Sequence, residues 1–270
     1  MAVVVERQRI SLPVAIRKEF FNYQRLAQFG FVVALLITWE IVGRRLGDFF
    51  LAPPTALVPA AQDLISSGEL MRAVRDSLTS LLVGYGVAAA IGIGLGYLMG
   101  WYKPVAKIMD PFVNAAYVVP VAALVPMIII WFGLGFKSRV LTIIVFSVFE
   151  ILVSVYTGVR NVDPMLIDVG RSFGAGRMAL FRKIVFFASL PYIFAGLRMG
   201  ASRAIKGMVI AELLFAVTGL GGAIQTAANY YRTDQVFVYV IVIAILGIVL
   251  AGAIQMLEKW AMPWKVERAT

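Results

Sequence analysis

The sequence has no cysteine and no histidine among its 270 residues. The first absence excludes disulfides and thiol chemistry. The second removes the commonest general base and the commonest metal ligand. Charge is sparse as well: Asp, Glu, Lys and Arg together make up 15% of the chain. No G-x-x-x-x-G-K-[ST] phosphate loop occurs, so ATP, if it is used, is bound by another chain. There is no alternating ten-residue strand pattern, internal repeat or low-complexity tract. No catalytic site and no metal site is expected here.

Apolar residues are abundant. They make up 61% of the chain, against about 45–50% in soluble domains. Mean hydropathy is +0.87, which marks an all-α integral membrane protein. The net charge of +10 could suggest a nucleic-acid partner. In a membrane protein it is better read as basic residues collected in cytoplasmic loops, so no nucleic acid is expected.

Crossing a ~30 Å hydrocarbon layer takes about twenty apolar residues. Six stretches approach that length, at about 27–45, 77–100, 111–133, 140–159, 190–214 and 236–257. Backbone groups in lipid must be satisfied internally, so these are expected to be six transmembrane helices. About twenty-five mixed residues precede the first span, unlike a signal peptide, so that span is expected to remain in the mature protein. With the N-terminus inside, fifteen Lys and Arg fall on inside segments and seven outside, with Arg198, Arg203 and Lys206 inside the fifth span. That asymmetry places both termini, and the 159–189 loop, in the cytoplasm.

The expected organisation is a cytoplasmic segment 1–26, a membrane domain 27–258 and a cytoplasmic tail 259–270. Residues 13–25 have the spacing of a helix lying on the inner surface. Residues 51–75 open on Leu-Ala-Pro-Pro-Thr and turn helical outside. Residues 215–235, with Gly219, Gly221 and Gly222, either dip into an outer mouth or form a surface loop.

Within the spans, Gly92, Gly96 and Gly100 recur every four residues, as close helix packing requires. Gly196, Gly200 and Gly207 cluster on one side of the fifth span in the same way. Pro120 and Pro126 predict kinks in the third span. The fifth span carries Arg198, Ser202, Arg203, Lys206 and Glu212 over about half its circumference, and Glu150 lies near the middle of the fourth. Intramembrane charges face a bundle interior or water. Two readings stand together: Glu150 neutralises Lys206 or Arg203 as a buried pair, and the polar arc lines a solute route suited to an anion. Glu40 and Arg44, four residues apart, form a helix-surface pair. Trp39, Trp101, Trp260 and Trp264 lie near span ends, as interfacial anchors do.

The loop between the fourth and fifth spans reads Asp168-Val169-Gly170, three residues, Gly174, nine residues, Ile184. It resembles the EAA loop of ABC importer permeases. Further landmarks are Trp-Phe-Gly-Leu-Gly at 131–135, Gly-Val-Arg-Asn-Val-Asp-Pro at 158–164 and Arg-Ser-Phe-Gly-Ala at 171–175. Leu-Pro-Tyr-Ile at 190–193, Ala-Gly-Leu-Arg at 195–198, Ala-Glu at 211–212 and Gly-Leu-Gly at 219–221 continue the series. Over 51–260 the chain resembles permeases of the nitrate/sulfonate/taurine group of binding-protein-dependent ABC importers.

The resemblance implies a type I ABC importer permease fold in the bacterial cytoplasmic (inner) membrane. It implies a second permease copy, two ABC ATPase subunits that use ATP and Mg, and an extracytoplasmic solute-binding protein. It assigns ATPase coupling to Asp163, Asp168, Val169, Gly170, Arg171, Phe173, Gly174 and Ile184. The sequence departs from the family pattern at Asp168-Val169-Gly170, where E-A-A is usual, and at Phe186-Phe187, where L-P is usual. Glu150 and Lys206 also stand where relatives often have proline and an apolar residue. The expected solute is a small sulfonate- or nitrate-like anion. Alternatives are a heterocyclic vitamin precursor, or ion-coupled secondary transport through Glu150 and Lys206.

Overall fold

The computed structural model describes residues 14–47, 49–215 and 218–264, all helix and connecting turns. The segment 1–13 and the end of the tail lie outside the described residues, and with them part of the expected 13–25 surface helix. From Val14 the backbone runs helically into the first span as α1 (Val14–Leu46). The order continues with α2 (Pro54–Ser66), α3 (Glu69–Trp101), α4 (Lys103–Val118), α5 (Val121–Phe132) and α6 (Phe136–Arg160). Then come α7 (Pro164–Ser172), α8 (Arg177–Leu180), a π turn at Phe181–Val185, α9 (Phe186–Phe215), α10 (Gly219–Asn229) and α11 (Thr233–Ala261).

Among the described residues, five helices are long and apolar enough to cross a membrane unbroken. The stretch expected as one span over 111–133 is not one helix. It is α4 and α5, bent by 97° at the break between them. The cause is local. Pro120 has no N–H to give and pushes the residue before it out of the helical region. Val119 is accordingly extended, at φ −71° and ψ 125°. Pro126, by contrast, sits inside α5. The fifth span also differs from expectation. It begins at Arg177 and runs through the π turn to Leu214, so the second half of the 159–189 loop is span rather than loop.

The packing centre is α6, held between α3 and α9. A Cβ added to Gly92, Gly96 or Gly100 of α3 would fall 2.9, 2.7 or 2.5 Å from the Cβ of Ile151, Val155 or Val159. Both rows repeat every four residues, so ridge meets groove along the whole contact. On the other side of α6, Gly196 meets Ser154, Gly200 meets Ile151 and Gly207 meets Phe146. In lipid, where apolar burial gives helices little reason to associate, such van der Waals contact holds the bundle. Gly94, which also falls in this part of α3, points away from the contact into open space. Tyr85 Oη donates to the Leu197 carbonyl at 2.8 Å, and Tyr97 and Ser189 share a hydrogen bond at 2.9 Å, tying α3 directly to α9.

The end of the bundle carrying α2 and α10 is closed by polar groups. Glu212, fully buried, accepts hydrogen bonds from Ser77 Oγ at 2.7 Å and Gly221 N at 3.0 Å. Ser77 Oγ in turn accepts from Leu220 N at 2.8 Å, and Arg139 Nη1 lies 3.6 Å from the second carboxylate oxygen. Gly219 has φ +85°, and any Cβ there would strike the Glu212 carboxylate. Within 215–235 the described residues are therefore not a surface loop. Gly219–Asn229 form α10, with Gly219 to Gly222 buried and the helix packed on α3, α9 and α11. Helix α2 packs alongside through Leu57, Ala60 and Leu64. Glu40 joins α1 to it, accepting from Thr55 N and Thr55 Oγ1 as well as pairing with Arg44. Trp39 is less a lipid anchor than a clasp. Its Nε1 donates to the Ala52 carbonyl at 3.1 Å and its ring packs on Phe237.

Two outcomes are expected. Gly96→Val should lower the stability of the purified protein by about 1–3 kcal/mol through overpacking, while Gly94→Val stays near wild type; thermal unfolding in detergent reads the difference. Glu212→Ala should cost about 3–5 kcal/mol, because it strands Arg139, the Gly221 N–H and the Ser77 hydroxyl. Equal melting of Glu212→Ala and wild type would refute the closing role of the network.

Candidate translocation cavity and coupling surface

The segment after α6 folds as a capped helical hairpin. Asp163 caps α7, its carboxylate accepting from Met165 N at 2.9 Å, and Pro164 occupies the first turn, where a missing N–H costs nothing. The helix ends in a Schellman turn. Ala175 N donates to the Gly170 carbonyl and Gly174 N to the Arg171 carbonyl, with Gly174 at φ +75°. One face of α7 turns inward. A Cβ on Gly170 would fall 2.6 Å from Ile184 Cδ1 and Leu180 Cδ2, so a larger residue there would require those side-chain ends to shift as α7 sits on α8 and the π turn. An adjoining face is apolar and uncovered: Met165 is 70% exposed, Phe173 87%, and Leu166 and Val169 nearly half. Asp168 and Arg171 pair at 3.5 Å on the surface.

The eight residues assigned to coupling thus come together in one hairpin but divide by position. Asp163 and Gly174 fix its ends, and Gly170 and Ile184 join it to the span. Val169 and Phe173 face outward, and Asp168 and Arg171 lie on the other flank, beside a cavity between α4 and α6.

The polar residues of the fifth span separate into three places. Arg203 Nε donates to Glu150 Oε1 at 2.9 Å; Arg203 remains 53% exposed and Glu150 only 10%. The structure therefore brings Arg203, not Lys206, to Glu150. This pair borders a cavity of about 360 Å³ that also contains the broken stretch Val119, Pro120 and Val121, together with Phe146 and Phe149. Ser202 and Lys206 are exposed on the neighbouring part of the same α9 face. Arg198 is engaged elsewhere, its Nη1 lying 3.1 Å from Oε2 of the buried Glu258 on α11. Glu212 is outside the cavity lining, in the closed network described above.

Sequence reasoning missed Ser77, Arg139 and Glu258, each distant along the chain from its partner. The only sequence signals were a serine in an apolar span and lone charges near span ends.

A family model described as "Binding-protein-dependent transport system inner membrane component" matches residues 89–262. A probable ABC transporter permease of Brucella abortus is 32% identical, over 83% of this chain and 89% of its own length. A formylaminopyrimidine transport permease of Halalkalibacterium halodurans is 29% identical, over 90% and 98%. A taurine transport system permease of Escherichia coli is 30% identical, over 88% and 89%. Among solved structures, an inward-facing form of the MetNI methionine ABC transporter superposes with a TM-score of 0.62 at 18% identity, over 71% of this chain and 95% of that one. That likeness carries the fold, including its multi-pass helical architecture, and the relatives are transport permeases rather than enzymes. The chain belongs to the binding-protein-dependent transport family, as the inner-membrane permease component of an ABC importer.

Proposed function

We propose that two copies of this chain form the solute pathway of the importer, with α9 and the α4–α5 break of each facing the shared route. Both termini and α7 lie in the cytoplasm, as the distribution of Lys and Arg favours. Two ATPase subunits dock beneath and use ATP and Mg, while a soluble binding protein delivers solute from outside. The observation that carries this reading is the uncovered face of α7. A capped helix between two spans, showing Met165, Leu166, Val169 and Phe173 to the aqueous side with charges beside them, is a surface for a protein partner.

The solute is a small anion of the sulfonate or nitrate type. In support, the cavity at the helix break has Arg203 on its wall, and Lys206 and Ser202 are exposed on the same helix. The taurine permease likeness agrees with this. The formylaminopyrimidine permease likeness supports a second reading, a neutral heterocycle handled by the same architecture.

Two measurements decide. Phe173→Asp and Gly174→Val should release a co-purifying nucleotide-binding subunit, with affinity down about thirtyfold or more, as for a central interface residue. An intact complex with either variant would overturn the docking role. Arg203→Gln should cut uptake of an anionic solute at low concentration about tenfold or more. Unchanged uptake of an anion by that variant would exclude Arg203 from the route, and a heterocycle-selective uptake spectrum would favour the second reading.

A further inference from the structure

Two cavities meet at the end of α3, outside both the pathway and the docking face. One, of about 570 Å³, lies between the start of α4, the end of α6 and the flank of α7 that carries Ile167, Asp168 and Arg171. Four of its wall residues are basic (Lys103, Lys107, Arg160 and Arg171) and two are acidic (Asp110 and Asp168). Asp168 is already paired with Arg171. Arg160 is held by Tyr156, whose hydroxyl it meets at 2.9 Å. Lys103 and Lys107 are exposed, and neither has a carboxylate partner among the described residues.

The second cavity, of about 340 Å³, is a groove on the side of α3 running from Trp101 past Leu98 to Gly94. Seven residues of helix span about 10 Å, so the groove reaches from the span end toward the membrane centre. Its walls are Tyr97, Trp101 and Phe181, with the open space left by Gly94 at its inner end. At its mouth Arg177 lies over the rings of Tyr102 and Trp101, at 5.0 and 5.6 Å. Arg177 also has no carboxylate partner among the described residues. Trp101 forms part of both walls.

We propose that this pair of cavities binds one anionic glycerophospholipid, its phosphate at Lys103, Lys107 and Arg177 and one acyl chain in the Gly94–Trp101 groove. The chemistry fits in both halves. An excess of cations at a span end suits a phosphate diester, and basic pockets between membrane helices hold acidic head groups. An apolar aromatic slot pointing inward from the same place suits a hydrocarbon chain and gives a free anion nothing. The bound lipid would bridge α3, α4 and α7, and so brace the coupling hairpin from the flank that carries Asp168 and Arg171. Lipid capture is independent of the transport reading, and its test does not measure transport.

Native mass spectrometry of the full chain, mixed with equal phosphatidylglycerol and phosphatidylcholine, reads the retained lipid directly. The wild type should retain phosphatidylglycerol preferentially. Lys103→Gln/Lys107→Gln should weaken that retention roughly twenty-five-fold, about fivefold for each charge removed. Gly94→Leu, which fills the groove, should weaken it with every basic residue in place. Arg232→Gln, at the start of α11, should leave it unchanged. Three results overturn the proposal: equal retention of the two lipids, an equal loss in Arg232→Gln, or displacement of phosphatidylglycerol by millimolar inorganic phosphate.

Discussion

The close approach of α6 to α3 and α9 is the constraint on which the other features depend. Without a hydrophobic drive between helices in lipid, the bundle relies on contact at short range, and short range requires missing side chains. Glycines on both flanking helices provide it, each facing a β-branched, serine or aromatic side chain of α6. The contact continues on α9, where Tyr192 closes over Gly158 of α6. Because α6 is gripped along its length, Glu150 is fixed in depth and direction, and Arg203 reaches it from a helix that cannot slide. The α4–α5 break takes no part in this grip. It packs on α6 only through shorter pieces, which leaves room for a cavity where the backbone turns.

The ionisable residues in the spans follow the cost of burying charge. Each deeply buried carboxylate has a basic partner: Glu212 has Arg139, Glu258 has Arg198 and Glu150 has Arg203. The three differ in what else satisfies them. Glu212 gains a backbone N–H and a serine hydroxyl and is sealed. Glu258 is sealed, while its partner reaches partly outward. The Glu150 pair borders a cavity, with its arginine more than half exposed. A graded series of this kind distinguishes charges that hold the fold from a charge that can meet a solute.

Much of this was legible in the sequence, and the misses have definite causes. The five unbroken spans, the glycine packing face and the capped helix α7 were readable because each rests on local spacing: twenty apolar residues, a repeat of four, a glycine placed to end a helix. Val119–Pro120 was read as a kink, since the sequence shows that the helix must be disturbed there but not by how much. Glu212 was grouped with the polar arc because a helical projection gives direction and not what lies in that direction. Its partners Ser77, Arg139 and Gly221 come from three other segments. Lys206 and Arg203, three residues apart on one side of the helix, were both candidate partners for Glu150, and helical position could not choose between them. Arg203 makes the bond.

The π turn connects these parts mechanically. Helix α7 rests through Gly170 on the side-chain ends of Leu180 and Ile184. Those two residues belong to the same unbroken run, Arg177–Leu214, that carries Arg198 and Arg203. A load applied to the exposed face of α7 therefore enters the fifth span directly. The π turn, at Phe181–Val185, is where that span is wound differently and where its direction can change. Beyond it, Arg198 is bonded to α11 and Arg203 to α6. Any rotation of α9 must carry α11 with it or alter the Glu150 contact at the cavity wall. The two pairs are alike in exposure, at 43% and 8% for Arg198 and Glu258 and 53% and 10% for Arg203 and Glu150, so each ties α9 to a neighbouring helix through a buried carboxylate.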